Sequence, residues 1–443
     1  MKKREFLKKS AALASLAVFP SPLWSIKNPN IRLAQIGVGG MGAQDLNSMS
    51  SHSSVSVVAL CDVDLSALNE AKKIHPNAKA YSDYRIMLKE MKDEIDAVQV
   101  STPDHTHAPA SIMAMNLNKH VYCQKPLTHN PSESRLMMKI AKEKKLTTQM
   151  GIQVHSFYDY KLATILIKGG IIGKIKTVRA WTHGNSGYDG PIPMGNDPIP
   201  ESLNWNLWLG TSPERPYKKG YYHPSEWRKI VDYGCGTLGD MGVHIFDTPY
   251  NALELDSPIT VKNECRKHNG FSFPEANTVK YTFPGTRYTT NKLTWVWTDG
   301  QFPLIEDDLK LPNQDELPVQ GSMFIGEKGR LLLPHFMQEP RLIVNGDYKE
   351  IDISKYPKAL ELKSPARDYD IDTKIHYHEF VDACLGKADC SAPFSYSGRL
   401  TEVILLGVIA GRFPNKKLHW DIEKGRFKES AANKFLDSEY RIF

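Results

Sequence analysis

The stretch IRLAQIGVGGMG, Ile31 to Gly42, decides how the rest of the chain is read. An apolar run breaks into Gly37-Val38-Gly39-Gly40-Met41-Gly42 and then into a helical pattern, the order of a buried strand turning sharply into a helix. Each glycine has a task. Gly37 permits the turn, Gly39 lets backbone amides approach a diphosphate, and Gly42 lets the helix pack on the strand with its N-terminus toward the phosphates. Further on, VSVVALCD ends in Asp62, where a carboxylate would accept hydrogen bonds from an adenosine ribose and repel a 2'-phosphate. Residues Gly37 to Gly42 with Asp62 therefore predict a dinucleotide site that prefers NAD to NADP.

Working outward, AVQVSTPD, HVYCQKP and TTQMG repeat the strand-then-turn pattern, so residues 31–151 predict a Rossmann domain with a doubly wound parallel sheet of five strands. Ligands of such sheets lie beyond the carboxyl ends of the strands. That places Thr102, Pro103, His105 and His107 beside the nicotinamide half, with Lys125 in the same crevice. Taken singly, the histidines read equally well as helix caps and the lysine as a solvated loop residue. After Ile152 the texture changes. A helix from His155 to Lys168 and a loop rich in Pro, Gly and Asn over 184–216 precede the runs PITVKNECRK, NTVKYTFPG, RYTTNKLTWVWTD and GSMFIGEKGRLLLP. Their β-branched and aromatic content predicts a C-terminal α/β domain, residues 152–443, with a large, mostly antiparallel open sheet.

YGCGTLGDMGVHIFD, Tyr233 to Asp247, brings a glycine-spaced loop into Asp240 and His244. On a helix, positions i and i+4 share a face, so both side chains can address one substrate. Oxidising a secondary alcohol by hydride loss needs a base beside the reacting carbon. His244 is the candidate because its intrinsic pKa lies near neutrality. Lys125 would steady the reacting oxygen, and Asp240 would orient the substrate or hold His244. A metal set of Asp240, His244 and Asp247 joined by His183 or His223 lacks any zinc-like spacing, so no metal is expected. Trp181, His183, Tyr188, Trp205, Trp208, Tyr221, Tyr222, His223 and Trp227 exceed what a core alone needs, and aromatic faces stack on pyranose rings. Trp205 and Trp208 read as packing anchors; His183 and Tyr222 are kept as carbohydrate contacts.

GVGGMG, STPDHTH, CQKPLT, GIQVHS and GTLGDMGVH, with the closing HEFVDACLGK, together resemble the Gfo/Idh/MocA oxidoreductase family over nearly the whole chain from Ile31. The resemblance implies a Rossmann domain, a second α/β domain whose open sheet serves homo-oligomerisation, and a nicotinamide cofactor serving sugars or cyclitols. It implies a catalytic group of Lys125, Asp240 and His244, with Gln153 beside the cofactor and His155 beside the substrate. The glutamate of the family's EKP motif is Gln124 here, so Lys125 is expected to lack an adjacent carboxylate and to have a different cofactor contact or a lower pKa. Some relatives oxidise a sugar only transiently, so that its C2 proton can leave with the aglycone before the hydride returns. Three readings stay open: an NAD-dependent dehydrogenase, a redox-assisted glycoside hydrolase needing an extra base such as His183 or Tyr222, and a non-catalytic binding protein.

Formal charge is +6 over 443 residues, but the first 26 hold five Lys or Arg against one Glu, which leaves the rest at +2. No phosphate-tracking surface follows, so nucleic acid is not an expected partner. MKKREFLKKS followed by AALASLAVF reads as an export signal too short to span a bilayer, and KREFLKK resembles a twin-arginine leader with Lys3 in the first arginine's place. The leader, residues 1–30 with its linker, predicts a periplasmic protein that meets the membrane only during export. Such a protein would hold NAD tightly, because a periplasm has little free dinucleotide. Six cysteines without a CxxC pair predict buried thiols.

Overall fold

A computed structural model describes residues 30–443. The leader expected over residues 1–30 lies, apart from Asn30, outside the described residues.

The first sheet has six parallel strands, β1 (Ile31–Ile36), β2 (Val55–Cys61), β3 (Lys79–Tyr81), β4 (Ala97–Val100), β5 (His120–Gln124) and β6 (Thr148–Gly151), ordered β3-β2-β1-β4-β5-β6. β3 is the strand the sequence pattern did not announce. It is a three-residue edge strand whose first two side chains are exposed, so it has neither the length nor the alternation that marks a strand. Helices α1 (Met41–Ser50), α2 (Leu65–Ile74), α3 (Tyr84–Glu90), α4 (Asp104–Asn116) and α5 (Pro131–Lys144) make the crossovers. Strand order reverses between β1 and β4, which opens a crevice at their carboxyl ends.

The second sheet has ten strands: β7 (Ile175–Thr182), β8 (Thr260–Glu264), β9 (Asn277–Pro284), β10 (Thr289–Asp299), β11 (Gln320–Gly326), β12 (Arg330–Pro334), β13 (Arg341–Val344), β14 (Asp347–Lys349), β15 (Leu418–Asp421) and β16 (Arg426–Phe427). Only β7 and β10 pair in parallel; their other neighbours are antiparallel. β9 buries every second residue, Asn277, Val279, Tyr281 and Phe283, as a one-sided sheet requires. Helices α6 (Tyr158–Lys168), α7 (Val243–Ala252) and α9 (Phe394–Ala410) cover that buried face, and Phe246 of α7 stacks on Trp295 with ring centroids 4.3 Å apart. Each such buried aromatic contributes about 2–3 kcal/mol from removed apolar surface.

The long helix α8 (Tyr369–Cys384) crosses back to the first sheet, where Tyr377, Phe380 and Val381 pack on Ile31, Leu33, Ala97 and Tyr122. A boundary at residue 151 therefore separates the two sheets but not the two cores. Among the described residues no helix is long and apolar enough to cross a membrane, and all six cysteines are free thiols, four of them buried.

Candidate active site

At the β1 end of the crevice the backbone is the working material. A Cβ on Gly37, at φ +83°, would meet Ser101 O at 2.5 Å, and one on Gly42 would meet Gly37 O at 2.3 Å, so strand, turn and helix touch too closely for any side chain. Beneath the turn the fully buried Gln35 donates from Nε2 to Gly37 O at 2.9 Å and to Gly42 O at 3.3 Å. Gly39, Gly40 and Met41 are exposed above it. α1 follows Gly40 with no side-chain cap and no acid in its first turn; Gly42 N and Ala43 N turn back to Gly39 O and Gly40 O, which leaves the Gly40 and Met41 amides open. Open amides at a helix N-terminus beside a glycine turn fit a dinucleotide diphosphate. Asp62 accepts from Val38 N at 2.8 Å and Asp64 N at 2.9 Å. Burial raises its pKa against those two hydrogen bonds. An ionised carboxylate has about four lone-pair sites, so Asp62 still has capacity for a ribose hydroxyl. A groove of 890 Å³ runs past Gly39, Gly40, Ser66, Asn69 and Lys73, room for the adenosine half.

The residues after β4 divide. Thr102 and Pro103 are half-buried at the crevice, whereas His105 and His107 are buried struts rather than cofactor contacts. His105 places Nε2 3.0 Å from Trp208 O and Nδ1 3.4 Å from Tyr233 O, and His107 lies between Pro126 O at 2.8 Å and Thr102 O at 2.7 Å. Burial pushes both imidazoles down to about 4. Neither has a ring nitrogen left for a ligand. Gln153 is corrected in the same way, since it is buried and donates from Nε2 to Tyr377 Oη at 2.8 Å.

Gln124 faces Asp45 of α1, its amide 3.0 Å from both carboxylate oxygens, while Ser101 Oγ donates to Asp45 at 2.6 Å and Tyr377 Oη at 2.5 Å. Burial pushes Asp45 up to about 6 against those donors. A glutamate at 124 would set two buried carboxylates against each other; the amide turns that repulsion into hydrogen bonds. Lys125 is not short of a carboxylate, which corrects the expectation from the altered motif. Its Nζ donates to Asp240 Oδ1 at 2.7 Å and to the Asp240 carbonyl at 2.9 Å.

Asp240 lies in a π-helical turn, Leu238–Gly242, that runs into α7; such turns aim a side chain where a regular helix would not. It also accepts from Arg228 Nε at 3.2 Å and Ser186 Oγ at 2.9 Å. Burial alone would raise its pKa, but the charges of Lys125 and Arg228 outweigh it and hold Asp240 well below the usual carboxylate range. Asp240 thus fixes Lys125 and makes no hydrogen bond to His244. The expectation that His244 titrates near neutrality is overturned: burial first, then the charges of Lys125 and His335, push it well below 6.5, and its Nδ1 is buried without a partner.

His335, which follows β12, is the residue sequence reasoning missed. Its ring centroid stands 6.0 Å from that of His244, and its Nδ1 shares a short hydrogen bond with the Tyr160 hydroxyl of α6. Burial and then Lys125 push it down to about 3. When Tyr160 donates to Nδ1 the proton of the neutral ring lies on Nε2, and when it accepts from Nδ1 the Nε2 lone pair is free. Nothing in LLLPHF distinguishes this histidine before the chain is folded.

His155 places Nδ1 2.9 Å from both oxygens of Asp247, one turn along α7 from His244, and Tyr396 Oη donates to the same carboxylate at 2.7 Å. Burial would lower the His155 pKa; the Asp247 charge outweighs it and raises it. The two other substrate candidates are not where the aromatic count placed them. His183 is exposed and stacks on Phe302 at 4.7 Å, and Tyr222 is buried among Trp205, Trp208 and Tyr233. Trp205 and Trp208 stack on each other at 4.7 Å as packing anchors. His223 pairs with Asp64 at 2.9 Å. Asp240, Asp247 and His223 are thus committed to separate partners, and among the described residues no group of three or more His, Cys, Asp or Glu could hold a metal.

Two family models match the chain, one described as an oxidoreductase family, NAD-binding Rossmann fold, over residues 31–152, the other as an oxidoreductase family, C-terminal alpha/beta domain, over residues 163–286. A glycosyl hydrolase family 109 protein of Stenotrophomonas maltophilia is 37% identical over 135 residues, 28% of this chain and 29% of that protein. Levoglucosan dehydrogenase of Pseudarthrobacter phenanthrenivorans is 30% identical over 191 residues, 43% of this chain and 40% of that protein. The chain spans about half or less of the length of the curated relatives it matches. The solved WlbA dehydrogenase of Chromobactrium violaceum, in complex with NADH and UDP-GlcNAcA, shares the fold with a TM-score of 0.62 at 15% identity, over 90% of this chain and 98% of that one.

Proposed function

Because the chain belongs to the Gfo/Idh/MocA oxidoreductase family, we propose that it oxidises, or in reverse reduces, a secondary hydroxyl of a sugar, glycoside or cyclitol with NAD as hydride acceptor. The observation that carries this reading is the Lys125 ammonium, which commits two of its three protons to Asp240 and keeps one for a substrate oxygen. The chemistry a bound nicotinamide would supply is that of an acceptor for the hydride of the carbinol carbon. Lys125 holds the carbinol oxygen and stabilises the charge growing on it. Asp240, anchored by Arg228 and Ser186, keeps Lys125 in place. His244, its pKa pushed down by burial and its Nδ1 buried without a partner, accepts the hydroxyl proton at Nε2 and passes it on to solvent. Hydride and proton leave one H–C–O–H unit, which becomes a ketone.

A second reading, a glycoside hydrolase that oxidises C3, removes the C2 proton as the aglycone leaves, adds water and returns the hydride, is favoured by the likeness to the family 109 protein. His335 replaces His183 and Tyr222 as candidate for the extra base, since the Tyr160 hydroxyl can accept as well as donate and so free Nε2. Asp62 supports NAD over NADP. Tight retention is supported by the strap of residues 202–223, which docks beside β2 through Leu65 N to Ser202 O and Asn204 N to Val63 O, each 2.9 Å, and through His223 on Asp64. The leader supports export to the periplasm, and the family resemblance supports a homo-oligomer.

The test is to purify the protein with whatever nucleotide it retains, add hexoses, glycosides and inositols, and follow nicotinamide absorbance and released products together. Reduced nicotinamide accumulating with one sugar is the expected result. Aglycone release without net reduction selects the second reading, and silence in both channels across the panel sinks both.

A further inference from the structure

On the far side of the catalytic loop lies a cavity of 340 Å³ that the reaction above does not use. Its wall joins His129 after the Lys125 turn, Asp232 and Gly234 of the glycine-rich loop, Val408 and Arg412 at the end of α9, and Phe435 of the C-terminal tail. His129 Nε2 bonds Gly234 O at 2.9 Å, so the loop that carries Asp240 is one partition of this cavity.

Four acids line the wall; Glu439 is exposed to solvent, and the other three have partners. Asp232 accepts from Arg215 Nε at 2.6 Å; Glu133 accepts from the amides of His129 and Asn130 and from the Tyr440 hydroxyl; Asp437 accepts from Ser132 Oγ at 2.9 Å. Arg412 is different. Its guanidinium lies 4.4 Å over the Phe435 ring and places Nη1 3.2 Å from His268 Nε2, with no carboxylate in ion-pair range among the described residues. His268 Nδ1 accepts from Gly270 N at 3.0 Å, so the proton of the neutral ring sits on Nε2 and that nitrogen offers Arg412 no acceptor; burial, with Arg412 and Arg266, pushes the imidazole down to about 4. Burial lowers the pKa of Arg412, and the more distant Asp232 charge only partly offsets it. A fork of five N–H donors thus lines an open cavity without a carboxylate partner, and a half-buried cation in that position is costly unless an anion meets it.

We propose that this cavity binds a small organic monocarboxylate with an apolar body. Arg412 takes the carboxylate through parallel N–H···O bonds, and Phe273, Val408 and Phe435 cover the body. The carboxylates of Asp232, Glu133 and Asp437 in the same wall repel a second negative charge, which disfavours phosphate. The site needs neither the sugar nor the hydride chemistry, so it stands apart from the proposed reaction.

Benzoate is the probe, benzamide its uncharged counterpart and inorganic phosphate the dianion, each titrated into the full chain with its retained nucleotide by calorimetry and thermal melting. Benzoate is expected to bind saturably and raise the melting temperature, and benzamide and phosphate to do neither. Arg412→Met should weaken benzoate at least about tenfold while the protein keeps its nucleotide. Val408→Trp, which fills the cavity and spares the guanidinium, should weaken it likewise, and Lys125→Ala should leave it unchanged. The proposal is overturned if benzoate does not bind, if benzamide or phosphate binds as well, or if Arg412→Met or Val408→Trp binds benzoate like the parent. Loss of binding in Lys125→Ala would move the anion into the catalytic cleft and overturn it too. An Arg412→Met chain that no longer folds would make the guanidinium a structural group and overturn the proposal as well.

Discussion

The two ends of the crevice are built of different materials. At the nucleotide end the features that matter are backbone, gathered in one short stretch: the turn Gly37 to Gly42, the buried Gln35 beneath it and the open amides of α1. At the substrate end they are side chains that converge from Lys125, Tyr160, Ser186, Arg228, Asp240, His244 and His335. A site made of one turn tolerates changed neighbours but not an added Cβ. A site made of converging charges tolerates small backbone shifts but not the loss of one charge.

Lys125→Met is the most damaging test of that contrast. Removing the ammonium leaves Asp240 with Arg228 and Ser186 but takes the donor from the reacting oxygen, so turnover of the substrate found by the panel should fall about 10³-fold. Nucleotide content, measured on the purified variant, should stay unchanged. A variant that keeps a tenth of the activity would mean that the carbinol oxygen does not rest on Lys125. Gly42→Ala is the converse. Its Cβ would stand 2.3 Å from Gly37 O, so turn or helix must move, and dinucleotide affinity should drop roughly 100-fold, about 3 kcal/mol. Affinity within threefold of the parent would show that the turn is not where the diphosphate lies.

The same contrast explains what could be read from the sequence. The glycine turn, Asp62 and the strand ends are contiguous signals, and the six-stranded sheet places them as their spacing implies. Lys125 and Asp240 were legible because each sits in a recognisable local pattern. His335 was not, because its relation to His244 exists only after β12 has paired with β11 and the Tyr160 hydroxyl has met its ring. His105 and His107 misled because nearness to a motif does not set direction: both point into the protein at the start of α4. Tyr222 misled because an aromatic count cannot tell a cleft wall from a core. The hairpin of β13 and β14 is short and half-exposed, so it lacks the alternation that revealed β8 to β10.

A smaller effect sharpens the substrate end. Tyr160→Phe removes the hydroxyl that orients the His335 ring and leaves the ring's packing in place. One lost hydrogen bond to a neutral group is worth about 1 kcal/mol, so kcat should fall roughly fivefold with little change in KM. A change confined to KM would make His335 a contact for the bound sugar and not a group aligned for the chemical step.

The last test asks whether two imidazoles, His244 on α7 and His155 against Asp247 of α7, are opposites in charge. His155 has its pKa raised: burial works against the proton, but the Asp247 carboxylate at 2.9 Å outweighs it. A group whose folded pKa lies above its unfolded value contributes stability that is fully present below that unfolded value, about 6.5 for histidine, and lost as pH rises through the folded value. Asp247→Asn keeps the shape and an acceptor for Tyr396 but removes the charge. It should therefore destabilise the protein near pH ~5.5 and do so progressively less toward pH ~9, measured by urea unfolding at both ends. His244 contributes in the opposite sense, since its folded pKa is depressed and acid weakens the fold by charging it in the unfolded chain first. An Asp247→Asn penalty that did not change with pH would mean that His155 is uncharged throughout, and that both imidazoles beside this helix are neutral.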